Sequence, residues 1–181
     1  MTLSSEDGRL YYMLWLPLLD YVNRLYGVTK KMKQIAEIKD LNPNELKAVA
    51  DRLWDDVSVI DKYLAEHNSI PEEYREIIKS WKRRIRGKFI LERHLKKGSI
   101  FISMDNKEVY QVCGIISSWE EMFNSVYLPL IVEATIMPFK KVIISDGLVI
   151  PYKVGFGRNM TQTFKDIYID AKRSGMLNRT L

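Results

Sequence analysis

The stretch that decides the fold covers residues 85–104 and reads IRGKFILERHLKKGSIFISM. Before Gly87, apolar residues recur every three to four positions, which is the period of an α-helix. After Gly87, the residues fall into two alternating sets, Phe89, Leu91, Arg93 and Leu95 on one side and Ile90, Glu92 and His94 on the other. This period of two is typical of a β-strand. We therefore predict that the chain changes from helical to β-structure near Gly87.

Helices are predicted on the N-terminal side of this change. Their apolar stripes place them at 6–26, 29–38, 43–64 and 71–85. Pro17 removes a backbone donor inside the first helix, so a kink or break is expected there. Asn42 and Ser69 are each followed three residues later by Glu, and this capping-box spacing predicts the starts of the third and fourth helices.

Short strands are predicted on the C-terminal side. They cover 89–95, 100–104, 109–116, 130–137, 142–145 and 148–152. Asp146-Gly147 carries the strongest hairpin signal, because a tight primed turn requires positive φ, and Pro138 is expected to end the fourth strand. Tight turns between six strands favour an antiparallel sheet that curls or closes into a small barrel. A last helix, over 159–174, is expected to begin with Asn159 and Gln162 as caps.

The predicted fold class is therefore α+β. A helical region (1–86, about four helices) precedes a β-rich region (87–181) that the C-terminal helix closes. The two regions are expected to form one compact unit, because 181 residues is the size of one domain or two small ones that share a core.

Positive charge is concentrated in one short segment. The formal net charge is +5, yet residues 71–98 hold 10 Lys and Arg against 4 Asp and Glu, whereas residues 1–70 hold 9 against 11. The candidates for contact with phosphate or nucleic acid, within the segment 79–97, are Lys79, Lys82, Arg83, Arg84, Arg86, Lys88, Arg93, Lys96 and Lys97. Counterion release would make such binding strongly salt-dependent. The alternative is a solvated face, with Trp81 in the core because it fits the apolar stripe of its helix.

Other motifs carry weaker signals. Gly155–Asn159 precedes the last helix and could hold a phosphate, or could be a plain connector, since it lacks the rest of any nucleotide-binding motif. A nucleophilic pair of Cys113 and His94 is possible on neighbouring strands, but an apolar run around Cys113 favours a buried, inert thiol. With His67 as the other histidine, the chain does not supply a zinc site, and no cofactor is predicted.

The segment Leu10–Tyr21 is apolar on nearly every side. Such a helix either fills a core or contacts a partner, and we favour the core. A single cysteine rules out an internal disulfide, and Glu6 and Asp7 occupy the place of a basic signal-peptide region. The apolar stretch Leu10–Leu19 is about half of the ~20 residues that cross a bilayer. The expected location is the cytoplasm, without membrane contact.

The chain also resembles a known family. The residues concerned are Tyr11 to Tyr21, Leu128-Pro129, Pro138-Phe139, Ser145-Asp146-Gly147-Leu148, Pro151-Tyr152, Phe156-Gly157 and Tyr168-x-x-Ala171-Lys172. Over most of its length the sequence is similar to an uncharacterised family of bacterial proteins. The resemblance implies a bacterial, cytoplasmic origin and no assigned activity, so it transfers no functional residue.

The sequence favours a binding module over an enzyme, because no nucleophile, metal set or paired-carboxylate site is assembled in it. One hypothesis is a protein–protein interaction module or homo-oligomer that uses exposed parts of Leu10–Tyr21 or the sheet. The alternative is nucleic-acid or phosphate binding through the basic segment 79–97.

Overall fold

The computed structural model describes residues 1–30 and 42–181. Contacts divide the chain into two compact units, of which one is Glu6–Lys82 and the other joins Arg83–Leu181 to Met1–Ser5. Six α-helices and a seven-stranded sheet lie in the described ranges, which confirms the α+β class. The helix predicted at 29–38 lies outside the described residues, apart from residues 29 and 30.

The first unit is helical. Its helices are α1 (Ser5–Tyr26), α2 (Pro43–Asp55), α3 (Ser58–Glu66) and α4 (Glu72–Ser80), and a 3₁₀ turn follows at Trp81–Arg83. An aromatic cluster forms its core, because the Trp15 ring stacks on Trp54 at 5.3 Å and meets Trp81 edge-on at 5.6 Å. Trp81 is fully buried, as predicted.

Two predictions concern breaks in helices. α1 does not break at Pro17; Leu14 and Leu18 are buried on either side of it, and their packing outweighs the hydrogen bond that proline removes. The predicted 43–64 helix is divided at Asp56. The Asp56 carboxylate accepts hydrogen bonds from the backbone N–H and the hydroxyl of Ser58, at 3.1 and 2.6 Å, and a second helix begins at Ser58 with Val57 as its N-cap.

Two helix starts also differ from the prediction. The N-cap of α4 is Pro71 rather than Ser69, and no side chain caps it. The C-terminal helix, α6 (Arg158–Arg173), has Gly157 as its N-cap. Asn159 lies inside that helix, and Gln162 is bonded to Asp166 instead of to the helix start. Apolar packing fixes both helices without the predicted caps.

The second unit contains the sheet. Its strands are β1 (Ile85–Leu95), β2 (Gly98–Ser103), β3 (Val109–Cys113), β4 (Leu130–Phe139), β5 (Val142–Ser145), β6 (Ile150–Tyr152) and β7 (Leu177–Asn178), and a short helix, α5 (Trp119–Met122), lies between β3 and β4. The change of structure therefore falls at residues 84–85, two positions before Gly87.

Five of these strands close into a barrel. They pair in the order β1-β2-β3-β5-β4, and β4 pairs back to β1. The long strand β1 reaches both neighbours because a bulge between Leu91 and Arg93 bends it. β3 and β5 are parallel, whereas the other barrel pairs are antiparallel. This five-stranded Greek-key barrel is the architecture of the OB-fold.

Alternate residues of the strands fill the barrel. This core comprises Phe89, Leu91, Phe101, Tyr110, Val112, Trp119, Leu130, Val132, Ala134, Ile136 and Ile143. Trp119 is the contribution of α5, and its ring lies edge-on to Phe101 at 4.8 Å and stacks on Phe123 at 6.2 Å. The short helix α5 thus contributes Trp119 to the core and closes one end of the barrel.

Much of the outer surface of β2 and β3 is covered by α6. Ile100, Ile102 and Val109 point out of the barrel and pack with Tyr168 and Ala171. These residues form a second apolar layer, so the C-terminal helix closes one side of the sheet as predicted.

Three sheet predictions need correction. The sheet is mixed and has a seventh strand, because β3 pairs in parallel with β5 and with β7. Asp146-Gly147 does not form a hairpin: β5 and β6 both pair with β4, and the reversal occurs at Lys140-Lys141. β4 continues through Pro138, which pairs with Ile143. Proline is tolerated there because the pairing of β4 with β1 ends at Ile136.

Candidate functional site

The nine predicted basic residues are spread over both units. Lys79 and Lys82 belong to the helical unit. Their ammonium groups lie 2.7 Å from the carboxylates of Glu76 and Asp61 respectively. These two lysines are thus engaged by acids of their own unit, and their proposed role as anion ligands stays a prediction.

The remaining basic residues follow β1 from end to end. Ten residues of extended chain separate Ile85 from Leu95, which is about 33 Å. Within this length Arg93 donates two hydrogen bonds to the Glu92 carboxylate, and its guanidinium lies 4.6 Å from the centre of the Tyr168 ring. Lys88 lies 4.9 Å from the Tyr152 ring. A strand of this length does not bring all of the charges to one small site.

At the end of β1, Lys96 and Lys97 form an exposed turn. The carbonyl oxygen of Lys97 accepts a hydrogen bond from Nε2 of Gln111 at 2.6 Å, which ties the turn to the outer side of β3. Gly98 has φ of +133°, and a Cβ there would lie 2.8 Å from the Val112 carbonyl oxygen. Only glycine therefore fits where the turn meets β3.

A second exposed pair, Lys140 and Lys141, forms the turn between β4 and β5. Sequence reasoning missed this pair, because it lies far from the basic segment. The signal that could have revealed it was a Lys-Lys pair between two predicted strands, like the one between the first two.

The sheet places the strands that follow the two lysine turns, Lys96-Lys97 and Lys140-Lys141, on either side of β3. Val112 pairs with Ile143, so Gln111 is level with Val142, the first residue after the second turn. The side chain of Gln111 also contacts the first turn. The turns therefore lead into the strands on the two edges of β3, and β7, which pairs with Val109 and Tyr110, lies between β3 and the second turn.

Each lysine turn contributes a formal charge of +2. Arg83, one of the predicted basic residues, is exposed two positions before the first β1–β4 pair, Ile85 with Ile136. It therefore lies at the same end of the barrel as the second turn. Positive charge thus lies in both turns and at Arg83, and the neutral, half-buried Gln111 is on the strand between β2 and β5, which is an arrangement that suits an extended anion.

The predicted Cys–His pair is not assembled. His94 Nδ1 lies 2.8 Å from the Ser99 hydroxyl, and Cys113 Sγ lies 3.7 Å from the Lys97 carbonyl oxygen. Burial raises the pKa of the Cys113 thiol, which makes it a poor nucleophile. His67 is in the helical unit, where its Nδ1 lies 2.8 Å from the Tyr63 carbonyl oxygen.

Neither a metal centre nor a membrane span is found among the described residues. Within residues 1–30 and 42–181, no three His, Cys, Asp or Glu side chains are grouped so that they could hold a metal ion. No helix in those same ranges has the length and apolar character needed to cross a membrane.

The predicted phosphate loop is exposed. Gly155 and Gly157 have open space where a Cβ would lie, and Gly157 is the N-cap of α6. Phosphate binding at Gly155–Asn159 stays a prediction.

A cleft of about 480 Å³ lies between the β2–β3 turn and α6. Lys107 lines it together with the acidic residues Glu108 and Asp170. The charges in this cleft are of both signs, whereas each lysine turn carries only positive charge.

His94 gives the barrel a pH dependence. Burial lowers its pKa below the ordinary 6.5, the N-terminal ammonium acts in the same direction, and Glu120 opposes them. The unfolded chain then binds a proton more readily than the folded one, so the contribution of His94 to the free energy of unfolding is complete above about pH 6.5 and decreases as the pH falls below it.

We expect His94→Gln, which retains a hydrogen-bonding side chain, to reduce this loss of free energy of unfolding between about pH 7.5 and 5.5, as measured by urea unfolding. An NMR titration midpoint for His94 at or above 6.5 would contradict this prediction.

Comparison with known proteins identifies no relative: no family model, no curated protein and no solved structure matches the chain. The resemblance to an uncharacterised bacterial family stays a prediction.

Proposed function

We propose that this protein is a non-enzymatic binding module that holds a nucleic acid across the two lysine turns. The observation that supports the proposal is the order of the sheet, in which the strands that follow Lys96-Lys97 and Lys140-Lys141, β2 and β5, lie on either side of β3. The four ammonium groups of the two turns match the repeating charge of a phosphate backbone.

The barrel supports the proposal by analogy. In OB-folds, the β1–β2 and β4–β5 loops and the face of the second and third strands bind oligonucleotides and oligosaccharides. Both lysine pairs occupy these two loops. Because α6 covers Ile100, Ile102 and Val109, the strand face contributes little here, and the loops are left as the main contacts. Analogy of fold alone does not establish function, so the proposal depends on the placement of charge.

The proposal replaces most of the basic segment 79–97. Lys96 and Lys97 are retained from it, and Lys140 and Lys141 are added. Lys79, Lys82, Lys88 and Arg93 are left out, because the first two belong to the helical unit and the other two lie within β1 rather than in either turn.

A direct binding measurement tests the proposed function. A fluorescently labelled single strand of about 12 nucleotides, within the site sizes known for one OB barrel, is titrated with the full chain from about 50 to 200 mM salt. Two to four phosphate contacts predict a slope of log K against log salt of about −1.4 to −2.8. Absence of binding at the lowest salt, or binding that does not change with salt, would refute the proposal.

A further inference from the structure

The loop between α5 and β4 presents an aromatic ring to solvent. Tyr127 is 96% exposed, and its neighbours Met122 and Val126 are exposed by 50% and 39%. Aromatic side chains ordinarily bury most of their area, so a ring left this open can receive a flat ligand.

Both sides of the loop are anchored. On one side, Phe123 stacks on Trp119 at 6.2 Å, and its carbonyl oxygen accepts a hydrogen bond from the backbone N–H of Val126 at 3.0 Å. On the other side, Leu128 packs against the barrel core. Tyr127 is thus held between fixed points, which lowers the conformational entropy that the loop loses when it binds a ligand.

Strand pairing shows that the chain leading into β4, which includes Tyr127, approaches from the end of the barrel that carries Lys96 and Lys97. β4 begins at Leu130, which pairs with Leu91, and the strand containing Leu91 ends at Leu95, just before the first turn. Residues that precede Leu130 therefore run towards the same end of the barrel as this turn. Positive charge and an open aromatic ring together are the pattern that binds unpaired nucleotides.

We propose that Tyr127 stacks on an unpaired base of a strand whose phosphates contact Lys96 and Lys97, so that the ligand is single-stranded nucleic acid. The inference rests on the proposed function and narrows its ligand. A duplex keeps its bases stacked on each other and does not offer a free face to Tyr127. The same loop could instead contact a protein, and measurements on variants of Tyr127 distinguish the two.

The test compares Tyr127→Ala, Tyr127→Phe and the wild type on a single strand and on a duplex of the same sequence. We expect Tyr127→Ala to weaken single-strand binding about 5- to 150-fold without changing the salt slope, because stacking carries no charge. Tyr127→Phe keeps the ring and is expected to stay within about twofold. Ile116→Ala, which removes another side chain that is 70% exposed, is the matched control and should bind like the wild type.

The outcomes separate this inference from the proposed function. If the wild type binds single strands with a salt slope but Tyr127→Ala binds equally well, stacking is wrong and the proposed function survives. If the wild type does not bind, both fail. If the duplex binds as tightly as the single strand, the ligand is not an unpaired base. If Tyr127→Ala leaves nucleic-acid binding unchanged but lowers the mass measured by light scattering, Tyr127 contacts a second copy of the protein instead of a base. Because the side chain is exposed, the variants are expected to unfold at the wild-type temperature.

Discussion

Replacing Lys96 and Lys97 with glutamate is expected to weaken nucleic-acid binding about 10- to 100-fold at low salt, and replacing Lys140 and Lys141 is expected to do the same. Each exposed contact between an ammonium group and a phosphate contributes about 0.2–1 kcal/mol, and each reversal adds repulsion. The salt slope should also become shallower by about 0.7 for each phosphate that the variant no longer neutralises. Fluorescence anisotropy over a salt series measures both quantities.

The matched control is Lys165→Glu with Lys172→Glu, two exposed lysines of α6. This pair changes the net charge by the same amount but belongs to neither turn. It should reduce binding much less than either turn variant does. An equal reduction of affinity in all three variants would mean that net charge alone drives binding, and the assigned surface would be wrong.

Trp119→Ala is expected to destabilise the barrel by about 3–5 kcal/mol. The side chain is 1% exposed and closes one end of the barrel against Phe101 and Phe123. Its removal leaves a cavity that a short helix cannot collapse to fill. Urea unfolding followed by circular dichroism gives the free energy of unfolding.

Two substitutions act as controls for the role of Trp119 in the barrel core. Among the described residues, the Trp119 indole N–H has no hydrogen-bond partner. Trp119→Phe therefore removes an unsatisfied donor along with some volume, and should cost less than alanine. Met122→Ala, on the same short helix but 50% exposed, should cost about 0.5 kcal/mol or less. If Trp119→Ala lowers the free energy of unfolding by no more than Met122→Ala does, the Trp119 side chain does not stabilise the barrel.

Much of the fold follows from local patterns in the sequence. The change of period near Gly87 predicts the helix-to-strand boundary to within two residues, and each of the six predicted strands has a counterpart. Closure of the barrel is not local, because it depends on pairing Leu91 with Leu130 and Val112 with Ile143. Alternation gives the face of a strand but not the identity of its partner.

The hairpin error has a similar cause. Asp146-Gly147 has the residues that a tight turn favours, and Gly147 does adopt positive φ, at +84°. The backbone N–H of Asp146 nevertheless donates to the Thr135 carbonyl oxygen, so the chain stays beside β4 there. The pairing partner decides the path of the chain, and the residues of the turn alone do not.

For the same reason, the sequence predicts only one of the two lysine turns of the candidate site. Lys96 and Lys97 stand out because their neighbours are also basic. Lys140 and Lys141 stand among apolar strands, and only the pairing of β5 with β3 shows that the strand after them lies next to β3. Conversely, the sequence predicts Arg93 as an anion ligand without showing that it contacts Glu92 and Tyr168, and its role as a ligand stays a prediction.

Whether both lysine turns hold one ligand can be decided by mapping backbone amide NMR shifts while a single-stranded oligonucleotide is added. We expect the shifts to concentrate in three places: residues 95–98, Gln111, and residues 139–142. Shifts confined to the helical unit around Lys79 and Lys82, or to one turn without the other, would contradict a shared ligand.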